Sequence, residues 1–138
     1  DLVLHYQPER DLVTGRTAGV EALLRWERDG VMVGPDRFVP LAEHTGLIVP
    51  IGEWVLRTAC DQLLRWRRDG AARDAFVAVN VSPRQLLHDG FVGAAHCHRG
   101  RIDSDGLANA ALGHPRVWLE IDPDQGFADC GYATGASS

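Results

Sequence analysis

Lysine is absent from this chain: all 14 basic residues among its 138 are arginine. Any chemistry that needs a lysine amine from these residues is therefore excluded. Cysteine is scarce, with three residues at positions 60, 97 and 130. The number is odd and the spacing forms no pair, so a reducing compartment such as the cytoplasm is expected rather than a disulfide scaffold. A surplus of positive charge is also missing. The net charge of −5 argues against a general binder of DNA or RNA. No run of roughly 18 apolar residues offers a membrane span, and no basic-then-apolar leader opens the chain. The first residue is Asp1, already in strand-like sequence, as expected of a segment from a longer protein. His96-Cys97-His98 is a poor metal site, because neighbouring residues rarely point at one ion and no partner cluster accompanies them.

What remains is ordinary for a globular domain: 45% apolar and 24% charged residues. Thr17 to Trp26 reads as a buried strand that nevertheless carries Glu21 and Arg25. Alternation puts Gly19, Glu21, Leu23 and Arg25 on one face, and Val20, Ala22, Leu24 and Trp26 on the other. Charges in such a run are costly unless paired. They form either a structural ion pair or the mouth of a ligand site.

Leu2 to Pro8 reads as a first strand, with Thr14-Gly15 as the turn into a hairpin with the second. Arg28-Asp29-Gly30 breaks the second strand. Pro35 to Gly46 predicts a short helix whose apolar side is Phe38, Leu41 and Ala42. Residues 50–69 predict the longest helix. Ile51, Trp54, Val55, Ala59, Leu63 and Trp66 recur at helical spacing, and Glu53, Arg57, Asp61 and Arg65 form a solvated charge ladder. Phe76 to Ser82 is a buried strand with Asn80 near its end, and Ser82 caps a helix starting at Pro83. The pattern decays from Gly93 to Gly113, with weak helix over 106–112. Val117 to Ile121 is a further strand, and Pro123 to Ser138 reads as a poorly ordered tail.

This order predicts an α/β protein with a largely parallel sheet. Gln7, Glu21, Arg25, Asn80 and Glu120 all lie in the latter parts of strands, where ligands bind in such folds. Their recurrence at corresponding places favours a site over an isolated ion pair. Glu21, Asn80 and Glu120 offer only oxygen donors, which suits Mg²⁺ or Mn²⁺. With an arginine nearby, the set points to a phosphate-containing ligand, whose hydrolysis a metal would assist.

Tyr6-Gln-Pro8, Gly19-Val-Glu-Ala-Leu-Leu-Arg-Trp26, Phe38-Val-Pro-Leu-Ala-Glu43, Thr45-Gly-Leu-Ile48, Ile51-Gly-Glu-Trp-Val-Leu56, Val79-Asn-Val-Ser82 with Arg84-Gln85, and Leu119-Glu-Ile121 resemble the EAL-domain family, named for Glu21-Ala22-Leu23. The resemblance implies a modified TIM barrel with one antiparallel strand. It also implies phosphodiesterase activity that linearises cyclic di-GMP with two Mg²⁺ or Mn²⁺ ions. By the same resemblance, Glu21, Asn80 and Glu120 would be metal ligands, and Gln7, Leu24 and Arg25 would contact the dinucleotide.

The departures follow Ile121. Asp122-Pro123 replaces the family's Thr-Glu, and Asp129 only faintly matches a later acidic motif. The family's catalytic lysine has no counterpart here. A barrel takes about 250 residues, so the expectation is a partial TIM-like barrel, about its first half, with an antiparallel first strand. Residues 1–122 would be a truncated EAL domain and 123–138 a degenerate tail, inactive as this segment alone. The alternatives are a catalytically dead cyclic di-GMP-binding module and a non-functional remnant. A homodimer, and a GGDEF or sensory domain before residue 1, are further expectations from the family.

Overall fold

A computed structural model of the chain describes residues 1–71, 75–88, 90–91 and, as backbone alone, 116–119. The elements run β1 (Leu2–Arg10), β2 (Thr17–Arg28), β3 (Val31–Val33), α1 (Pro35–Thr45), α2 (Ile48–Arg68), β4 (Phe76–Asn80), α3 (Pro83–Leu86) and β5 (Arg116–Leu119). They form one five-stranded sheet in the order β1-β2-β4-β5, with β3 paired to β2.

The expected hairpin is present. β1 runs antiparallel to β2, from Leu2 opposite Trp26 to Arg10 opposite Thr17. Asp11 shapes its turn by accepting the Val13 and Thr14 amides on Oδ1, at 2.7 and 3.0 Å. The expectation of a largely parallel sheet does not hold. Among the described strands only β2 and β4 pair in parallel, while β2–β3 and β4–β5 are antiparallel like β1–β2. For the first two pairs the reason is local. Short turns join antiparallel strands, whereas parallel neighbours need a long crossover. Asp29 and Gly30 take φ of 53° and 76°, the two positive values that a tight hairpin requires. In sequence the two residues read as a simple break, which leaves β3 unpredicted.

α2 supplies the crossover between β2 and β4 and most of the core. Its buried stripe is Ile48, Gly52, Val55, Leu56, Ala59, Cys60 and Leu63. The stripe is rotated from the expected one, since Ile51, Trp54 and Trp66 are only half-buried while Leu56 is fully enclosed. It packs on the sheet face made by Ala22, Val77 and Val79, with Leu4, Tyr6, Val20 and Leu24 around them. Each enclosed leucine contributes about 1.5–3 kcal/mol of apolar burial. Tyr6 meets Trp66 edge-on, with ring centroids 4.9 Å apart.

α1 begins with Pro35 after Gly34 and stops at Gly46, whose φ is 80°. It buries Phe38 and Ala42, but Leu41 is 65% exposed, against expectation. A helix touching the fold along one narrow line covers residues four apart and leaves their neighbour outside. The expected helix over 106–112 and the tail over 123–138 lie outside the described residues, as do residues 120 and 121 of the last expected strand.

Candidate functional site

The parallel register fixes the centre of the site. Glu21 of β2 lies level with Ala78 of β4. Asn80 is one pleat further along the same face, and its Nδ2 donates to Glu21 Oε1 at 2.7 Å. On the other flank Gln7 of β1 stands directly opposite Glu21. Three adjacent strands thus bring Gln7, Glu21 and Asn80 to one sheet face. That face can form closely because Gly19 has no side chain: a Cβ there would overlap the Phe76 ring.

Arg25 follows Glu21 by four residues, and its Nη1 donates to the Leu24 carbonyl at 2.8 Å. Leu24 itself packs towards the core. Leu24, Arg25 and Asn80 all line a cavity of about 660 Å³ between the sheet and α1, α2 and α3, with Ile51, Val55 and Val79 among its apolar walls. Glu21 and Gln7 lie outside that cavity. Glu120 lies outside the described residues, as do Asp129 and His96-Cys97-His98.

The donor set accords with a hard cation. Glu21 offers a carboxylate, and Asn80, donating through nitrogen, keeps its amide oxygen free to ligate. Among the described residues no three or more His, Cys, Asp or Glu are grouped so as to hold a metal ion. Cys60 is no candidate nucleophile, since burial pushes its thiol up to about 12.

A second polar constellation surrounds Ser82, whose capping role the sequence predicts but whose link to Glu43 it does not. Ser82 caps α3, and its amide donates to Gln85 Oε1 at 2.6 Å, completing a capping box. Gln85, only 4% exposed, donates from Nε2 to Ile48 O at 2.9 Å. The Ser82 hydroxyl donates to Glu43 Oε1, and Arg84 Nη1 donates to the Glu43 carbonyl. The Ser-x-x-Gln spacing was a legible signal for the cap. Nothing local could reveal Glu43, which lies 39 residues from Ser82.

The chain matches the family model "EAL domain" over residues 1–123. It is 47% identical over 114 residues to the bifunctional diguanylate cyclase/cyclic di-GMP phosphodiesterase MucR of Pseudomonas aeruginosa, covering 82% of this chain and 15% of that protein. It is 35% identical over 130 residues to an uncharacterized signaling protein of Caulobacter vibrioides, covering 94% of this chain and 14% of that one. The chain therefore spans about a seventh of the length of these relatives. Among solved structures, PaMucR phosphodiesterase in its c-di-GMP complex superposes with a TM-score of 0.64 at 49% identity, over 70% of this chain and 39% of that one. The Xanthomonas citri FimX EAL domain in complex with c-diGMP gives 0.60 at 29% identity, over 70% and 37%. With the motif blocks in order and the α/β architecture shared, the chain belongs to the EAL-domain family.

Proposed function

We propose that this chain carries part of a cyclic di-GMP site of the EAL phosphodiesterase type. In this reading Glu21 and Asn80, with Glu120, are ligands of Mg²⁺ or Mn²⁺, and Gln7, Leu24 and Arg25 contact the dinucleotide. The observation that carries it is the Asn80–Glu21 contact at 2.7 Å, with Gln7 facing Glu21 across the adjacent strand pair. A carboxylate from within β2 and an amide from the last residue of β4, meeting on one sheet face, suit a hard cation. The metal, when bound, would lower the pKa of a water and brace the phosphate oxygens. Arg25 would hold a phosphate through its planar fork of donors. The described sheet is, in the same proposal, the beginning of a TIM-like barrel, and the chain works in the cytoplasm. Among the described residues no helix is long and apolar enough to cross a membrane.

Binding and turnover separate in this proposal. The 138 residues contain no lysine, whereas the family's hydrolytic site uses one. The segment alone is therefore expected to bind cyclic di-GMP without cleaving it. The same observation favours a second reading, a binding module that senses the dinucleotide. Calorimetric titration of the folded chain with cyclic di-GMP, with and without Mg²⁺, tests the proposal. Mg²⁺-dependent binding supports the metal site; metal-independent binding favours the sensing module; absence of binding would overturn both. Release of linear dinucleotide would refute the inactivity of the segment.

A further inference from the structure

We propose that Glu43 is a positioning residue for Asn80, acting through the turn that follows β4; the inference rests on the metal reading of Glu21 and Asn80. Asn80 is the last residue of β4, with its side chain exposed. Its orientation therefore depends on how firmly the next residues are held. Val81 is buried, and Ser82, two residues on, is tied down from several sides. Gln85 takes its amide at 2.6 Å, and the hydroxyl accepts the Arg84 amide at 3.3 Å while donating to Glu43 Oε1. Glu43 is held a second time, at its carbonyl, by Arg84 Nη1.

Helix capping does not account for this tether. α3 has four residues, and the Ser82–Gln85 box already satisfies its start. The bond to Glu43 adds a charge-assisted link between α1 and the turn, stronger than a neutral hydrogen bond. The far end is also anchored: Gln85 bonds Ile48 O on α2, in space that Gly52 leaves open, since a Cβ there would overlap the Gln85 amide. α1, α2 and α3 thus converge on the segment that sets the Asn80 amide 2.7 Å from Glu21. Removing a group hydrogen-bonded to a metal ligand typically changes metal affinity by about 10–100-fold, and Glu43, which reaches Asn80 through Ser82 and the turn, is expected at the low end of that range.

Mn²⁺ alone is the probe, titrated into the full chain with free ion read by electron paramagnetic resonance. Glu43→Ala leaves the α3 cap in place and is expected to weaken Mn²⁺ binding about tenfold, with Glu43→Gln, which can still accept from Ser82, restoring most of it. The thermal midpoint without metal is recorded alongside, because a merely structural role lowers the midpoint and leaves the affinity of the folded chain unchanged. Unchanged affinity in Glu43→Ala, with affinity lost in Asn80→Ala, would overturn the inference. If the wild-type chain binds no Mn²⁺, the metal reading fails. Hydrogen exchange of the Asn80 side-chain amide then decides the positioning role on its own: faster exchange in Glu43→Ala supports it, and unchanged exchange refutes it.

Discussion

Asn80 donates from Nδ2 to Glu21 Oε1 at 2.7 Å, although 59 residues separate the two in sequence. The contact exists because β2 and β4 are parallel and in a register that puts Glu21 beside Ala78. A slip of one residue would send Asn80 to the opposite face, into the apolar layer under α2.

Glu21→Ala and Asn80→Ala are each expected to lower Mn²⁺ affinity by more than about tenfold, at least as much as loss of an orienting group. Their effects should not add, since each removes the other's partner. Titrating the two single variants and the double variant checks this. Additive losses would mean that the residues act separately.

Gly52→Ala should destabilise the chain by about 1–3 kcal/mol, a typical cost of overpacking. The new methyl group must displace the Gln85 amide, and with it the bond to Ile48 O. Urea unfolding followed by circular dichroism measures the difference. An unchanged midpoint would show that Gln85 has room to move.

Gly30→Ala should cost about 1 kcal/mol, because an L side chain is strained at a φ of 76°. Gly34→Ala is the comparison at an ordinary φ of −74°, where a Cβ meets the Asp36 carboxylate, the movable end of a side chain, and not a strained backbone. The midpoint of chemical unfolding gives the comparison.

Alkali should weaken the fold through Tyr6 and Cys60. Burial raises Tyr6 from 10.0 to about 12 and Cys60 from 9.0 to about 12. Both are acids whose folded pKa lies above the unfolded value. The neutral forms stabilise the fold fully below about pH 9, and that contribution is lost as pH rises towards 12. Tyr6→Phe removes one of the two groups, so its stability should fall less steeply above pH 10. Parallel slopes for variant and wild type would contradict this.

Leu63→Ala should cost about 2–5 kcal/mol, because Leu63 is fully enclosed between α2 and the sheet. Leu41→Ala should change stability by no more than about 0.5 kcal/mol, since that side chain is 65% exposed. Equal losses at the two positions would place Leu41 in an interface of the folded protein.

Much of this architecture is legible in the sequence. The hairpin of β1 and β2 follows from alternation around Thr14-Gly15, and the long helix from its three- and four-residue spacing. α3 follows from Ser82 and Pro83. The same local rules misread Leu41, because periodicity gives the apolar side of a helix and not how much of it a neighbour covers. They miss β3, because Asp29-Gly30 reads as a strand end when its backbone makes a hairpin. They gave no warning that β5 pairs antiparallel with β4, since strand direction is a property of the pairing and not of the strand.

The family, the strand faces and the residue types available for a hard cation and a phosphate are all readable from the chain of residues alone. These are local matters, set by side-chain alternation, turn chemistry and the donor atoms themselves. That Gln7, Glu21 and Asn80 share one face across three strands, and that Glu43 reaches Ser82 behind them, follows from the folded arrangement. Both outcomes depend on register and on how α1 seats against the turn after β4. Those are fixed by burial of the α2 stripe on the sheet, a free energy summed over contacts far apart in the chain that no local pattern encodes.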